Sequence, residues 1–500
     1  MLARSDRFVN LVEFLSFAGS VVGVSLIAER LGANRREQIF AALVCATIPE
    51  GLLEASGAMN TFVVTFWIVA TVYFMLLWRE EQSWPVLVMI GGSAGLAILT
   101  KGSAYVYLPP IMLACWLSGP PSSGWKLLKC VPAVTIIIAL VNVGAFTRNL
   151  DLTGSPLGLP FRDGGPRLHW MNDNFSPVAT VANVIRNVTL HLGTPFGFLN
   201  RMGESAVRSM LQFMGQDPDD PTHTWLSGLG FRWPMMSRNE IFAGNLLHAL
   251  LIAAAMAILL IRLRDRRWRG VQIYVLGPIG AFILFSALMR YQIWEARHHL
   301  PLFVLMAAAL GLLVPRLLGQ RMTVATAMLL VVTALPFAAA NNLRSLVPAG
   351  AASIETRSRN DLYFADQHFD RASINEALVA RVNESSCRTI GIDAHVGRPA
   401  ATLVKSVPSF FVYPILAMLD RTGPGRTFQY VDVQNLSRRF MPASPYRPCL
   451  VICLDCADIP ESFRTYDGWK SRSVGNNLLF ENPSDQGRAA RSAGYTLVEP

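Results

Sequence analysis

The feature that most constrains this fold is a succession of long apolar runs separated by short basic segments. A chain of 500 residues that is 52% hydrophobic and only 16% charged has too little polar surface for a soluble globule. Several runs are shorter than the ~20 residues that a perpendicular transmembrane helix needs. The pair that flanks Lys101 is counted as two tilted spans, although a hairpin of partial spans fits it too. The sequence predicts a polytopic α-helical membrane protein with about ten spans, at residues 10–29, 38–55, 60–78, 85–99, 104–118, 130–147, 243–261, 271–289, 300–315 and 322–340.

The basic residues predict the topology, because arginine and lysine concentrate in cytoplasmic loops. They fall in alternate short loops, at Arg30, Arg35, Arg36, Arg79, Lys126, Lys129, Arg262, Arg264, Arg266, Arg267, Arg269, Arg316 and Arg321. The net charge of +10 therefore reports orientation, and no nucleic-acid partner is expected. Residues 148–242 and everything beyond 341 then lie on the outer side.

This topology requires the first span to enter from outside, with the short basic tail Met1–Asn10 translocated. Such tails rarely cross a membrane. We therefore expect that an upstream signal-anchor helix and the outer loop after it precede this sequence in the natural protein.

The segment Arg290–Pro301 is the main candidate for a site. It lies between two apolar runs and gathers two arginines, a glutamate and two histidines at the membrane edge. Ionisable groups are costly at such a place and suggest function. Guanidinium groups with imidazoles suit the phosphate of a lipid headgroup. The alternative is an ordinary wet loop with an aromatic anchor.

Two further features lie at the same predicted membrane edge. Glu50 and Glu54 are four residues apart, so they share one face at the outer end of the second span. A carboxylate there can serve as a base or orient an acceptor hydroxyl, although a helix end at the water fits equally. Lys101 puts one ammonium at the turn of the partial hairpin, where it can also snorkel without a role.

The long outer loop 148–242 is expected to carry function. Its amphipathic stretch Val178–Leu192, with Arg186 on the polar side, is predicted to lie flat on the membrane. The loop ends by bringing Glu240, with Asn245 and His248 nearby, to the mouth of the next span. Helix capping and interfacial hydrogen bonding are the structural alternatives for these residues.

Beyond residue 341 the pattern changes to short β-rich runs, at 388–393, 427–433 and 448–454, with a helical stretch at 373–382. This change predicts a membrane domain over 1–340 and an α/β domain over 341–500, outside the membrane.

Four cysteines lie in the predicted outer domain. Cys387 and Cys449 each immediately precede a predicted core strand, so they are the preferred disulfide in an oxidising compartment. The spacing of Cys453 and Cys456 fits redox or zinc chemistry, but it stands alone, and no metal site is predicted. Three further cysteines lie in spans and are expected to be buried apolar residues: Cys45, Cys115 and Cys130.

Several short motifs together resemble one family. They are Ala-Thr-Ile-Pro-Glu at 46–50, Ala-Ser-Gly-Ala-Met-Asn at 55–60, Leu-Thr-Lys-Gly at 99–102, Arg-Asn at 148–149 with Thr-Gly-Ser-Pro at 153–156, Ala-Gly-Asn-Leu-Leu-His at 243–248 and Arg-His-His-Leu-Pro at 297–301. In this order they resemble the GT-C integral membrane glycosyltransferases related to protein O-mannosyltransferases and lipid A aminoarabinose transferase. The resemblance covers most of 10–340, and the α/β domain resembles the C-terminal domain of many relatives.

The resemblance implies a function. Such enzymes transfer a sugar from a polyprenyl-phosphate donor to a lipid, glycan or protein hydroxyl at the outer membrane face, with membrane lipids as their surroundings. By position it implies Arg297 as the group that stabilises the leaving phosphate, with His298, Arg290 and Lys101 as further candidates, and Asn60 and Glu240 as additional substrate-binding candidates. It also implies a bacterial inner membrane with a periplasmic C-terminal domain.

One departure from the family pattern raises the expectation of an inactive chain. The family's activating carboxylate belongs to a first outer loop that this sequence lacks, and a later position that relatives often fill with Asp reads Asn60-Thr61. Glu50 and Glu54 are then the remaining catalytic candidates. A catalytically inactive lipid-phosphate-binding subunit and a transporter stay as alternatives, and nothing in the sequence requires a divalent metal, although one is compatible with it.

Overall fold

The computed structural model describes residues 6, 8–119, 121–158, 171–225, 230–348, 350–365, 370–394, 412–423, 425–433, 436–441, 447–457, 466 and 468–483. The chain divides into two compact units, Met1–Asn342 and Leu343–Pro500.

The first unit is helical, as the apolar runs predict. Its helices are α1 (Asn10–Arg30), α2 (Arg35–Ala46), α3 (Pro49–Ala55), α4 (Thr61–Leu77), α5 (Trp84–Thr100), α6 (Ala104–Leu117), α7 (Pro121–Thr153), α8 (Pro177–Thr189), α9 (Gly197–Phe213), α10 (Leu246–Ile261), α11 (Arg269–Leu288) and α12 (Leu300–Ala339). In the described part of the chain, four helices are long and apolar enough to cross a membrane. A fifth is added if the bent pair α2 and α3 is one span, and α4, α5, α6 and α10 are shorter apolar helices. The prediction of a polytopic helical membrane protein is confirmed, and the count of ten spans stays a prediction.

Two breaks in the helices have local causes. α2 and α3 meet at an angle of 69°, and Pro49 opens α3 in the first helical turn, where its missing N–H costs nothing. The predicted spans 300–315 and 322–340 become the two halves of α12, which is interrupted at Gly319 with φ 72° and ψ 174°. A side chain with a Cβ is strained at that φ, so glycine marks the junction.

Small residues let the helices of the first unit approach closely. A Cβ added at Gly311 of α12 would lie 2.4 Å from the Cβ of Ala41 in α2. Helices in a bilayer associate mainly through such packing, because lipid supplies no hydrophobic drive between them.

The two ends of the bundle differ in chemistry. One end carries ion pairs between residues of the predicted cytoplasmic loops: Arg316 with Glu37, at 2.7 Å, and Arg30 with Glu80. The start of α1, the end of α3 and the α5–α6 connection lie at the other end, which the basic residues predict to be the outer one.

The second unit is a small α/β domain, as predicted. Its elements are α13 (Arg359–Tyr363), α14 (Asp370–Asn383), β1 (Thr389–Asp393), α15 (Val412–Thr422), β2 (Thr427–Tyr430), β3 (Leu450–Cys453), β4 (Lys470–Val474) and β5 (Asn477–Glu481). The sheet has the order β2-β1-β3-β5-β4, with β1 parallel to β2 and β3, and β5 antiparallel to β3 and β4. The sequence pattern indicated the first three strands and missed the hairpin β4–β5.

A disulfide joins the preferred cysteine pair of this domain. The Cα atoms of Cys387 and Cys449 lie 5.7 Å apart, and the bridge links the residues just before β1 and β3. A second disulfide joins Cys453 to Cys456.

Candidate functional site

The α3 helix contributes two buried carboxylates. Glu50 and Glu54 are both 0% exposed, and none of their four carboxylate oxygens has a hydrogen-bond partner among the described residues. The backbone N–H of Glu50 donates to Oδ1 of Asn245, at 3.0 Å, which ties α3 to the start of α10. A buried polar group without a partner costs free energy, so its retention indicates a place built for a ligand or water.

A third carboxylate, which the sequence analysis did not select, comes from α1. Glu13 is 1% exposed, and its Oε2 accepts a hydrogen bond from the backbone N–H of Phe62 at 2.8 Å. That N–H belongs to the first turn of α4, so the carboxylate also serves as a remote helix cap. Its Oε1 has no partner among the described residues. The sequence feature that could have identified Glu13 is a single acidic residue inside an otherwise apolar run.

Two cations reach the same turn of the chain. Lys101, in the α5–α6 connection, donates from Nζ to Oγ1 of Thr61 at 3.3 Å. Arg297, in the short helical turn before α12, places Nη1 3.2 Å from Sδ of Met59. The side chain of Asn60, between these two contacts, donates to the carbonyl of Thr100 at 3.0 Å.

Charge interactions join the cations to the carboxylates. The carboxylate of Glu54 lies close enough to Lys101 and Arg297 for their charges to stabilise it, and Lys101 also interacts with Glu13. Glu240, which is buried, interacts with the carboxylates of both α3 glutamates. We call this set the outer-end cluster: Glu13, Glu50, Glu54, Lys101, Glu240 and Arg297.

Two histidines hold the segment that carries Arg297. The backbone carbonyl of His298 accepts a hydrogen bond from the Tyr107 hydroxyl at 2.7 Å. The His298 ring is close enough to Lys101 and Arg297 to interact with their charges, and its Nδ1 has no hydrogen-bond partner among the described residues. The Nδ1 of His299 lies 3.0 Å from Nε2 of His191, in the loop after α8. Burial lowers the pKa of His191 to about 3, so this imidazole is neutral near pH 7.

Arg290 lies outside these contacts. Its guanidinium pairs with Asp173 at 2.7 Å and donates to the carbonyl of Met171 at 2.8 Å, which fastens the end of α11 to the outer loop. Of the predicted binding residues, the structure therefore brings Lys101, Arg297 and Glu240 to the cluster and gives Arg290 a different partner.

The amphipathic stretch of the outer loop forms the helix α8, but its polar side faces inwards. Arg186 is 0% exposed and donates to Oδ1 of Asn183 and to the carbonyl of Asp217, both at 2.7 Å. The exposed residues include Val181 and Val188. The polar face can be buried because its side chains form hydrogen bonds with α11.

The cluster has side chains that a group-transfer site needs. Buried carboxylates can accept protons, and fixed cations can stabilise negative charge where it develops. Among the described residues, one set of three ligand-type side chains is close enough together to hold an ion, and it lies in the second unit: Asp393, Cys453 and Cys456.

Comparisons with known proteins find one family model and two solved structures that are similar to this chain. Residues 2–146 match the family model described as dolichyl-phosphate-mannose-protein mannosyltransferase. Two crystal structures of ArnT from Cupriavidus metallidurans are similar to this chain. The one bound to undecaprenyl phosphate is 13% identical with a TM-score of 0.47, and the apo one is 11% identical with a TM-score of 0.49. Each comparison covers 94% of this chain and 83% of the other. A comparison with curated proteins finds no match.

The family match falls on the part of the chain that contributes most of the site. Residues 2–146 include Glu13, both α3 glutamates and Lys101. This part of the chain is therefore similar to the family described as dolichyl-phosphate-mannose-protein mannosyltransferase.

Proposed function

We propose that the protein transfers a sugar from a polyprenyl-phosphate donor to a hydroxyl of a lipid, glycan or protein acceptor, at the end of the bundle that carries the outer-end cluster. One observation carries this proposal. Arg297 and Lys101 contact residues two apart in the same turn, at Met59 and Thr61, beside buried carboxylates. The turn brings two cations from distant segments together, and a phosphate gives them a common ligand.

The cations act on the leaving group. As the bond between the anomeric carbon and the phosphate oxygen breaks, negative charge grows on the phosphate, and preorganised positive groups lower the barrier. The Arg297 guanidinium can bind two phosphate oxygens at once, whereas the Lys101 ammonium acts as a point charge. The imidazole of His298 stands next to Arg297 and is a further donor to the same headgroup.

The acceptor hydroxyl needs a base, and we assign that role to Glu13. It places a carboxylate at the start of α4, where relatives often have Asp and this chain has Asn60-Thr61. One oxygen is fixed by the Phe62 N–H, and the other has no partner among the described residues. It takes the acceptor proton while the acceptor oxygen bonds to the anomeric carbon and the polyprenyl phosphate departs. Glu54 is the alternative base.

Glu50 is better suited to positioning than to proton transfer. Its backbone is held by Asn245, so it fixes α3 against α10. Its carboxyl group also lies within range of charge interactions with Glu54, Glu240 and the two cations of the cluster.

A binding protein without catalysis is the second candidate, and Asn60 favours it. A chain that keeps the cations and replaces the usual acid by Asn can hold a lipid phosphate without turning it over. The two candidates differ in one product, the free polyprenyl phosphate.

The test measures that product, which every such transfer releases whatever the sugar. The full chain in nanodiscs is incubated with a panel of polyprenyl-phosphate sugars and a cell-envelope extract as acceptor, and released polyprenyl phosphate is quantified by mass spectrometry. Wild type should release it, and Glu13→Gln should release about 10²- to 10⁴-fold less, the usual contribution of a general base.

The matched control is Glu29→Gln, because Glu29 is an exposed glutamate on the same helix. It should behave as wild type. Donor binding without release by wild type would establish the binding protein instead. Full activity of Glu13→Gln would remove Glu13 as the base and direct the same test to Glu54.

A further inference from the structure

Three buried side chains of metal-ligand type meet at the carboxyl ends of two neighbouring parallel strands in the second unit. Asp393 ends β1 and Cys453 ends the parallel strand β3, and the two are paired in register. The Sγ of Cys453 lies 3.4 Å from Oδ2 of Asp393. A tight turn returns Cys456 to the same place, so that one carboxylate oxygen and both sulfurs lie within 4.8 Å of one another.

The turn between the cysteines is held by its neighbours. Asp455 adopts a left-handed backbone with φ 51°, and its N–H donates to Oδ1 of Asn477 at 3.0 Å. Its carboxylate pairs with Arg371 of α14 at 3.4 Å. The two sulfurs are therefore aimed at Asp393 by hydrogen bonds and charges outside the set, which is how preorganised ligand sites are built.

The carboxylate is oriented as well. The hydroxyl of Tyr466 donates to Oδ2 of Asp393 at 3.2 Å, and the Tyr466 ring packs on Phe480 with centroids 4.9 Å apart. A metal-ligating side chain normally carries such a second hydrogen bond, which fixes its direction and tunes its basicity.

We propose that Asp393, Cys453 and Cys456 bind a thiophilic divalent ion of the zinc class when the two cysteines are reduced. The set belongs to the second unit of the chain, whereas the outer-end cluster belongs to the first. Thiolate and carboxylate ligands in this number match a zinc site that keeps one position for water or another ligand. Exposures of 0%, 3% and 1% place all three groups away from water, where charged ligands are stable when they share a cation.

A thiol reductant, either a protein dithiol or a small thiol, reduces the Cys453–Cys456 disulfide to two thiols and is itself oxidised to a disulfide. The divalent ion then binds both sulfurs as thiolates, and two protons leave to solvent. The bound ion links the end of β1 to the end of β3, whereas the disulfide joins Cys453 only to Cys456.

The test uses the full chain in detergent, with the three cysteines outside the second unit replaced by alanine: Cys45, Cys115 and Cys130. After reduction with a phosphine and removal of excess Zn²⁺, elemental analysis should find about one zinc per chain, the load of a single site. Co²⁺ in place of Zn²⁺ should give the absorption of a thiolate–cobalt bond. Asp393→Asn should keep the fold by circular dichroism and lower the affinity at least about tenfold.

The control is the second disulfide of the same domain, Cys387–Cys449. The double variant Cys387→Ala/Cys449→Ala should retain the zinc, whereas Cys453→Ser/Cys456→Ser should lose it. Two results overturn the proposal: no zinc in a chain whose reduced thiols are verified by alkylation, or zinc that persists in Cys453→Ser/Cys456→Ser.

Discussion

Removing the guanidinium of Arg297 should weaken lipid-phosphate binding without unfolding the protein. In the described part of the chain, the hydrogen bond found for this side chain is the contact of Nη1 with Met59 sulfur, and its Nε is buried without a partner. Sulfur is a weak acceptor, so the loss of this hydrogen bond costs the folded protein little. Binding of a phosphate would lose a charge-assisted contact worth about 1.5 to 3 kcal/mol. The dissociation constant should therefore rise about tenfold to a hundredfold.

The assay is titration of the nanodisc-embedded protein with undecaprenyl phosphate, followed by intrinsic tryptophan fluorescence. Arg297→Lys should recover part of the loss, since an ammonium cannot reproduce the bidentate geometry. Arg264→Ala is the matched control, because it removes one exposed arginine from the opposite end of the bundle. Equal affinities for wild type and Arg297→Ala would refute the assignment of Arg297 to the phosphate.

Two further predictions concern stability. Because burial lowers the pKa of His191 from 6.5 to about 3, the unfolded chain takes up a proton that the folded chain refuses below pH 6.5. Burial of the neutral His191 therefore costs no stability above that pH, and it lowers the free energy of unfolding by about 2 kcal/mol at about pH 5. His191→Gln should flatten the pH dependence of thermal unfolding. The bridge between Cys387 and Cys449 spans 62 residues, so Cys387→Ala/Cys449→Ala should lower the free energy of unfolding of the second unit by about 4 kcal/mol. An unchanged melting temperature of the second unit in Cys387→Ala/Cys449→Ala would contradict the predicted stabilisation by this disulfide.

The sequence could predict what local patterns determine. Apolar runs set the helices of the first unit, and the β-rich runs at 388–393, 427–433 and 448–454 set three strands of the second. The hairpin β4–β5 was missed because β4 is almost entirely exposed, so Lys470–Val474 carries no apolar pattern. Only its pairing with the buried strand β5 makes it a strand.

The site was harder to predict because partner choice depends on tertiary contacts. In the sequence, Arg290 and Arg297 lie in the same segment at the predicted membrane edge and are equal candidates. In the structure, Arg290 forms an ion pair with Asp173, which lies 117 residues away in the sequence. Glu13 stands inside an apolar run, and only the packing of α1 on α4 shows that it reaches the first turn of α4. The inward polar face of α8 likewise follows from its network with α11, which amphipathicity alone cannot distinguish from a face towards water.

The most direct test of the central claim is photolabelling of the full chain in nanodiscs with an undecaprenyl phosphate analogue that carries a diazirine beside the phosphate. The outer-end cluster predicts crosslinks in the peptides that contain Met59, Lys101 and Arg297, and their loss on competition with undecaprenyl phosphate. Another concentration of positive charge is the loop 262–269, which the sequence predicts to lie at the opposite end of the bundle. Crosslinks concentrated there, with none around Met59 and Arg297, would contradict the account.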